Sequence, residues 1–222
     1  MGDRTPILII GGGGHAAVVR DCIDRSRYRL VGCLDDAKPL GSKMAAGKVI
    51  GRFEDLSAVA LRYAGLTAVV AIGDNMTRRR IVGEMEARVP RLTWAPVIHP
   101  SAIVSKNAEV GLGTVVVAGA IVNCGTRVGR HVIINTGSII DHDNMFDDFS
   151  STGPGVVTGG NVSVGSLSHI GIGATVLHGI RISENSVIGG QSLVDRDVQE
   201  NLVCFGVPAR PQRTRLMGAA YL

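Results

Sequence analysis

Hydrophobic positions recur with a period of six over residues 97–198. This stretch divides into 17 consecutive hexads without an insertion, and in 15 of them the second residue is Ile, Val or Phe. The exceptions are Thr152 and Thr158. A short fixed period is typical of a parallel β-helix, in which three hexads form one coil and each second residue points inward, onto its equivalent in the next coil. The pattern therefore predicts a β-helix over 97–198.

Residues 1–96 follow a different pattern. The run "PILII" precedes four glycines, a helical segment and a second apolar strand that leads into Asp35 and Asp36. A third strand, "TAVVAIGDN", precedes the helical stretch "MTRRRIVGEMEAR". Strands that alternate with helices predict a small doubly wound α/β unit. We therefore expect a Rossmann-like nucleotide-sugar-binding domain at 1–96, a β-helix domain at 97–198 and a C-terminal tail at 199–222.

The glycine-rich turn has two interpretations. Gly11, Gly13 and Ala16 fit the GxGxxA form of the dinucleotide fingerprint. The α/β unit is only about half of a full dinucleotide fold, which favours a single nucleotide. His15 stands at the start of the predicted helix, where backbone N–H groups attract an anion. Alternatively, the glycines only allow a tight turn from strand to helix.

Composition narrows the possible classes of protein. The chain has 222 residues, of which 45% are hydrophobic and 19% charged, and this indicates globular domains rather than a disordered tail. No apolar run approaches the roughly 18 residues that span a bilayer, and we expect a cytoplasmic protein without a membrane partner. Aromatic residues make up only 4%, which argues against nucleic acid. Residues 1–96 carry 15 basic and 10 acidic side chains, which favours an anionic ligand there.

The hexad "IIDHDN" carries the strongest candidate chemistry. Because Ile140 is its inward residue, His142 falls near a corner of the coil and can face outward. We expect four neighbouring carboxylates to orient the ring and to raise its pKa. They belong to Asp141, Asp143, Asp147 and Asp148. A histidine in this position can take a proton from an attacking amine and pass it to a thiolate.

Residues 97–198 resemble the left-handed β-helix of the hexapeptide-repeat acyltransferases. The whole chain resembles the acetyltransferases of the sialic acid and bacillosamine pathways, through "NTG" at 135–137, "DHD" at 141–143, "PG" at 154–155 and "GVPA" at 206–209. The resemblance implies transfer of an acetyl group from acetyl-CoA to the amine of a nucleotide-linked 4-amino-4,6-dideoxy sugar. Perosamine linked to GDP is one such sugar, UDP is the other leading nucleotide, and the product serves surface glycans such as lipopolysaccharide. The resemblance also implies a homotrimer with active sites between subunits.

The same resemblance assigns roles by position. His142 is implied to be the general base, with Asp143 as its orienting carboxylate and Asn135 as a supporting substrate residue. Gly160, one coil after His142, is implied to point its N–H at the thioester carbonyl. For the nucleotide sugar, the other implied ligand residues are Gly12, Gly13, His15, Asp35 and Asp36, and the residues implied to line the same cleft are Gly73, Asp74 and Asn75. For coenzyme A, the implied ligand residues are Ile172, Gly190 and Arg210.

One position departs from the family pattern. Family members often carry a second histidine three residues before the proline of "PG", and here that residue is Ser151. His131 and His169 occupy repeat positions that favour a structural role. His178 lies two coils after His142.

Three alternatives stay open. γ-Class carbonic anhydrases use the same helix and bind zinc between subunits through three histidines. His142 and His178 fit the first spacing, but the third position is Ser183, and two coils place histidines of one chain ~10 Å apart, so we expect no metal. A noncatalytic nucleotide-binding assembly protein would carry "DHD" as a solvated surface. An O-acetyltransferase would modify a sugar hydroxyl, although the acidic surroundings of His142 favour an amine.

Overall fold

The computed structural model describes residues 4–219, so residues 1–3 of the predicted first domain and 220–222 of the predicted tail lie outside the described residues. The first part is a sheet flanked by helices. Its strands are β1 (Thr5–Ile10), β2 (Tyr28–Leu34), β3 (Lys43–Met44), β4 (Gly47–Gly51), β5 (Thr67–Val70) and β6 (Thr93–Trp94). Its helices are α1 (Gly14–Cys22), α2 (Leu56–Arg62) and α3 (Asn75–Arg88), with a 3-10 turn at Phe53–Asp55.

The strand order β3-β4-β2-β1-β5-β6 confirms the predicted doubly wound α/β unit. Ile7 and Ile9 of the central strand β1 pack in one cluster with α1, whereas Leu8 and Ile10 pack in another with α2 and α3. A parallel strand buried on both faces explains the unbroken apolar run "ILII". The hydrophobic pattern does not predict β3, β4, α2 or β6, because these elements are short and only partly buried.

From Val97 the described chain winds into a parallel β-helix with three sheets. Sheet I holds β7 (Val97–Ile98), β10 (Val115–Val116), β13 (Ile133–Ile134), β16 (Ser151–Thr152), β19 (His169–Ile170) and β22 (Val187–Ile188). Sheet II holds β8 (Ile103–Val104), β11 (Ile121–Val122), β14 (Ile139–Ile140), β17 (Val157–Thr158), β20 (Thr175–Val176) and β23 (Leu193–Val194). Sheet III holds β9 (Glu109–Val110), β12 (Arg127–Val128), β15 (Met145–Phe146), β18 (Ser163–Val164) and β21 (Arg181–Ile182).

The turns between the sheets form three stacked corners, named here by the sheets that they join. Corner I–II holds residues 135–138, 153–156, 171–174 and 189–192. Corner II–III holds residues 141–144, 159–162 and 177–180. Corner III–I holds residues 129–132, 147–150, 165–168 and 183–186. Residues that are far apart in sequence therefore stack in one column when they are separated by whole coils.

Strand pairing follows the predicted period. Val115 pairs with Ile133 in sheet I, and Ile139 pairs with Val157 in sheet II, each across one coil. The second residues of the hexads form the inner core, which contains Ile134, Ile140 and Phe146. The prediction of a parallel β-helix is confirmed.

Sheets I and II have different surroundings. Val97 and Val115, on the outer face of sheet I, pack in one cluster with Ala16 and Val19 of α1. This contact brings the start of α1 close to sheet I. On the outer face of sheet II, the exposed large apolar side chains are Ile103, Ile139 and Val157.

The predicted tail extends the β-helix. Strands β24 (Leu202–Gly206) and β25 (Ala209–Thr214) form an antiparallel hairpin, and β24 pairs with β22 of sheet I. Over residues 4–219, none of the helices has the length and apolar character needed to cross a membrane.

Candidate active site

His142 lies at corner II–III with its ring directed outward. Ile140 is fully buried, whereas the His142 side chain is 45% exposed. The ring Nδ1 lies 2.8 Å from Asp143 Oδ2. This hydrogen bond is the largest cause that raises the pKa of His142, and the negative charges of Asp141 and Asp143 add to it. With Nδ1–H donated to Asp143, the assigned tautomer leaves Nε2 as the basic nitrogen.

Gly160 leaves space for that nitrogen. It lies one coil along the same corner, and a Cβ added to it would stand 2.5 Å from Cε1 and Nε2 of His142. Any side chain at this position would therefore displace the ring. Among the described residues, no acceptor is hydrogen-bonded to the Gly160 N–H.

His178 stands on the other side of Gly160. Its ring centroid lies 6.4 Å from that of His142, which is closer than the ~10 Å expected for two coils. The rings of His142 and His178 approach each other because Gly160, the residue between them, carries no side chain. Even so, within residues 4–219 no three His, Cys, Asp or Glu side chains form a group that could hold a metal ion.

Two of the four aspartates expected around His142 lie elsewhere. Asp141 Oδ1 accepts a hydrogen bond from the His142 N–H at 2.8 Å, so this carboxylate supports the site. Asp147 and Asp148 lie at corner III–I, where Asp148 Oδ1 accepts from the Arg130 N–H at 2.7 Å. The expectation that these two orient His142 is wrong, because β15 carries the chain to the next corner before they occur.

The two threonines that interrupt the hexad pattern support site residues. Both are buried at inward positions. Thr152 Oγ1 accepts from the Asn135 N–H at 2.9 Å and lies 3.0 Å from Ser138 Oγ. Thr158 Oγ1 accepts from the Asp141 N–H at 3.3 Å. The Thr152 hydroxyl thus holds the backbone of a cavity residue, and the Thr158 hydroxyl holds the backbone of the residue that precedes His142.

A cavity of about 590 Å³ lies between the α/β domain and corner I–II. Its lining brings together predicted site residues from distant parts of the sequence. From the α/β domain these are His15, Gly73 and Asp74, and from the β-helix they are Asn135, Ile172 and Gly190. The packing of α1 on sheet I places the two groups on facing walls.

Two histidines give this cavity neutral polar groups. His15 Nε2 is buried without a hydrogen-bond partner among the described residues, and burial, followed by the charge of Arg78, lowers its pKa to about 4. His169 Nδ1 lies 2.8 Å from Ser151 Oγ, and burial lowers the His169 pKa to about 4. Both rings are therefore uncharged at neutral pH. The sequence does not single out the Ser151 and His169 pair, although both residues occupy the first hexad position, one coil apart.

Comparisons with known proteins agree with this architecture. Residues 6–85 match the family model described as the PglD N-terminal domain. The fold matches PerB from Caulobacter crescentus, solved in complex with CoA and GDP-perosamine, with a TM-score of 0.86 and 32% identity over 94% of this chain and 97% of that one. The chain belongs to the PglD and PerB acetyltransferase family.

Other proteins share this similarity. The acetyltransferase domain of PglB from Neisseria gonorrhoeae, in complex with acetyl coenzyme A, matches with a TM-score of 0.87 and 31% identity over 95% of this chain and 100% of that one. UDP-N-acetylbacillosamine N-acetyltransferase from Bacillus subtilis is 35% identical over 115 residues, which is 50% of this chain and 51% of that protein. The chain thus spans about half the length of this curated relative.

In this member of the PglD and PerB family, the glycine-rich turn contacts the acids after β2. The Gly12 N–H donates to Asp35 Oδ2 at 2.6 Å, and Gly13 is the N-cap residue of α1. Asp36 Oδ1 accepts from the Phe53 N–H at 2.8 Å. These four predicted residues are not among the described residues that line the 590 Å³ cavity, and their contact with a nucleotide stays a prediction.

Two further family-derived positions are occupied by other contacts. The expectation that Asn75 lines the cleft is wrong, because its side chain is buried and donates to the carbonyls of Leu167 and Ser168. Arg210 of β25 pairs with Asp195 at 2.8 Å. A contact between Arg210 and a coenzyme phosphate stays a prediction.

Proposed function

We propose that this protein transfers the acetyl group of acetyl-CoA to the amine of a nucleotide-linked 4-amino-4,6-dideoxy sugar. The observation that carries the proposal is the position of His142 between Asp143 and Gly160. The carboxylate lies 2.8 Å from Nδ1, and Nε2 lies against Gly160, where an added Cβ would stand 2.5 Å from it. A basic nitrogen, an orienting carboxylate and an available N–H are the groups that this acyl transfer requires.

The proposed reaction proceeds through one proton shuttle. The neutral amine attacks the thioester carbonyl, a C–N bond forms, and His142 Nε2 takes the amine proton. The carbonyl oxygen becomes an oxyanion that accepts a hydrogen bond from the Gly160 N–H. The C–S bond then breaks, and the imidazolium returns the proton to the leaving thiolate. Asp143 stabilises the imidazolium and fixes the ring tautomer.

The relatives support this substrate class. Caulobacter crescentus PerB was solved with CoA and GDP-perosamine, and so were variants in which one histidine is replaced by Asn or Ala. For this chain we propose GDP- or UDP-linked sugars, used in the cytoplasm for a surface polysaccharide such as lipopolysaccharide. The proposed ligand residues are Gly12, Gly13, His15, Asp35, Asp36 and Asn135 for the nucleotide sugar and Gly160, Ile172, Gly190 and Arg210 for coenzyme A.

The proposed active form is a homotrimer. His142 at corner II–III and Ile172 at corner I–II flank opposite edges of sheet II, so one chain alone keeps the base away from the cavity. The outer face of sheet II carries exposed Ile103, Ile139 and Val157, at 64%, 40% and 38% exposure. Burial of this apolar face between copies would bring corner II–III of one subunit to corner I–II of the next.

Mixed trimers test the location of the site. His142→Asn removes the base, and Gly190→Trp fills the cavity, where a Cβ on Gly190 already lies 3.0 Å from Ile172 Cγ2. Each variant alone should be inactive. If sites form between subunits, an equal mixture of the two variants refolded together should regain about a quarter of the native activity. Each site has a chance of one half to receive His142 from one subunit and a chance of one half to receive an open cavity from the next. No recovery would place base and cavity in the same chain.

Turnover tests the reaction itself. We would measure thiol release from acetyl-CoA with GDP-, UDP- and dTDP-linked 4-amino sugars, for the native chain, His142→Asn, and His99→Asn as a histidine control outside the site. One sugar should turn over, and only His142→Asn should lose at least about a hundredfold in rate. Activity on hydroxyl sugars alone would indicate an O-acetyltransferase. A fully active His142→Asn variant would refute the role of the base.

A further inference from the structure

Arg78 of α3 is a buried arginine between the α/β domain and the β-helix, with 1% exposure. Its guanidinium donates to carbonyls on both sides. On the α/β side, Nη1 bonds to Ile72 at 3.0 Å and Gly73 at 2.8 Å. On the β-helix side, Nε bonds to His131 at 2.8 Å and Nη2 bonds to Phe149 at 3.1 Å. Because the guanidinium is planar and rigid, these bonds define the distance between the two backbones.

Asn75 extends this contact along the β-helix. Its Oδ1 accepts from Arg78 Nη2 at 2.7 Å, and its Nδ2 donates to Leu167 O at 3.2 Å and Ser168 O at 3.0 Å. Arg78 and Asn75 together therefore bind carbonyls from three successive coils of corner III–I.

The bound corner residues have an unusual backbone conformation. His131, Phe149 and Leu167 have φ of 54°, 60° and 61°, in the left-handed region that bulky side chains seldom adopt. Such conformations persist where surrounding contacts hold them. The carbonyls of all three residues accept hydrogen bonds from Arg78 or Asn75.

The same pair adjoins both walls of the cavity. Gly73 and Asp74, which line one wall, immediately precede Asn75 in the chain. The other wall includes Ser151 and His169, and each of them directly follows a residue of corner III–I in the chain. A change in the Arg78 contacts would therefore move one wall relative to the other.

We infer that Arg78, supported by Asn75, is a positioning residue that sets the spacing between the cavity wall formed by the α/β domain and the cavity wall formed by the β-helix. This inference rests on the proposed function. When Arg78 is altered, the half-site for the nucleotide and the half-site for CoA should each keep their affinity for that ligand. The reaction that uses both half-sites should slow.

Arg78→Lys tests this split, because lysine keeps the charge but has one ammonium group in place of a fork of donors. Calorimetry would measure the affinities for CoA alone and for GDP and UDP alone, and steady-state kinetics would measure turnover of the nucleotide amino sugar. We expect both binary affinities to stay within twofold and kcat/KM for the sugar to fall at least tenfold. Arg79→Lys, an exposed neighbour on the same helix, should leave all three quantities unchanged.

Other outcomes would overturn the inference. An unchanged kcat/KM in folded Arg78→Lys would exclude a positioning role. A loss of CoA or nucleotide affinity equal to the loss of kcat/KM would indicate a general structural role, since misplacement of intact half-sites does not weaken binary binding.

A second measurement does not depend on turnover. Scanning calorimetry of the unliganded chain should show one transition for the native protein and two separated transitions for Asn75→Ala, the milder variant, as the α/β domain and β-helix uncouple. A single transition in both Asn75→Ala and Arg78→Lys would overturn the inference. If the native protein acetylates no sugar, the proposed function fails, and this experiment still decides whether the pair couples the two walls.

Discussion

His142 and His178 face each other across Gly160, with ring centroids 6.4 Å apart although two coils separate them. The His142 ring lies over Gly160 because this residue has no side chain, since an added Cβ would stand 2.5 Å from His142 Nε2. In the proposed reaction, His142 Nε2 takes the amine proton, so the ring has to keep this position. The position of the ring is therefore as important to the proposed chemistry as the basicity of His142.

A side chain at position 160 should abolish acetyl transfer without unfolding the protein. We expect Gly160→Ala to lower kcat at least about a hundredfold, because the methyl group displaces the ring and crowds the oxyanion donor. The methyl group meets a movable ring rather than backbone, so the melting temperature should change little. Steady-state kinetics and thermal unfolding measure the two effects.

Gly83→Ala provides a matched control. A Cβ at Gly83 of α3 meets nothing within 4 Å, and alanine should stabilise the helix by roughly 0.5–1 kcal/mol with native activity. Native kcat in Gly160→Ala would show that acetyl transfer does not depend on the position of the His142 ring.

Removal of the orienting carboxylate should shift the pH profile. The hydrogen bond to Asp143 raises the pKa of His142, and the base must be neutral to act, so kcat/KM falls as the pH drops below this raised pKa. Asp143→Asn should lower the pKa and move the acid limb of kcat/KM to lower pH, with a reduced plateau because the imidazolium loses its partner. Asp147→Asn, at another corner, should leave the limb in place. An acid limb unmoved by Asp143→Asn would contradict this coupling.

Thr152, the inward residue of β16, should stabilise the folded protein more than the apolar residue that the hexad pattern favours. Thr152→Val would leave the buried Ser138 hydroxyl and the Asn135 N–H without this partner, and we expect a loss of ~1–3 kcal/mol in the free energy of unfolding. Urea unfolding measures it. Thr158→Val should cost less, because its bond to Asp141 is longer, at 3.3 Å. Stabilisation by Thr152→Val would disprove the supporting role.

A buried histidine should make the protein sensitive to acid. His131 lies between Trp94 and Phe149, at ring-centroid distances of 4.9 and 5.2 Å, and burial, followed by the charges of Arg130 and Arg78, lowers its pKa from 6.5 to about 3. The unfolded chain therefore binds a proton that the folded chain does not, and stability falls as the pH drops from 6.5 towards 3.

His131→Asn should remove part of this dependence. Asparagine suits the left-handed φ of 54°, and the loss of unfolding free energy between pH 6.5 and about 4 should shrink by roughly 3 kcal/mol. Urea titrations at several pH values over that range measure the change as the slope of the unfolding free energy against pH. An unchanged slope in His131→Asn would mean that this ring does not govern acid stability.

The sequence by itself determined the β-helix and singled out His142 as the candidate base. A hexad repeat is local, because each inward residue is buried by its equivalents one coil before and after it, so the period alone predicts the coils. The same register directs Ile140 inward and His142 outward. Asp143 lies beside His142 because it is the next residue in the chain.

Only the tertiary structure decided what meets across coils and domains. His15 and Ile172 line one cavity because α1 packs on sheet I, a contact that no local pattern contains. In the run "MTRRRIVG", the three successive arginines look alike, yet Arg78 is buried while Arg79 and Arg80 are exposed. Burial depends on how α3 meets corner III–I, and this contact between the two domains provides Arg78 with its hydrogen-bond partners.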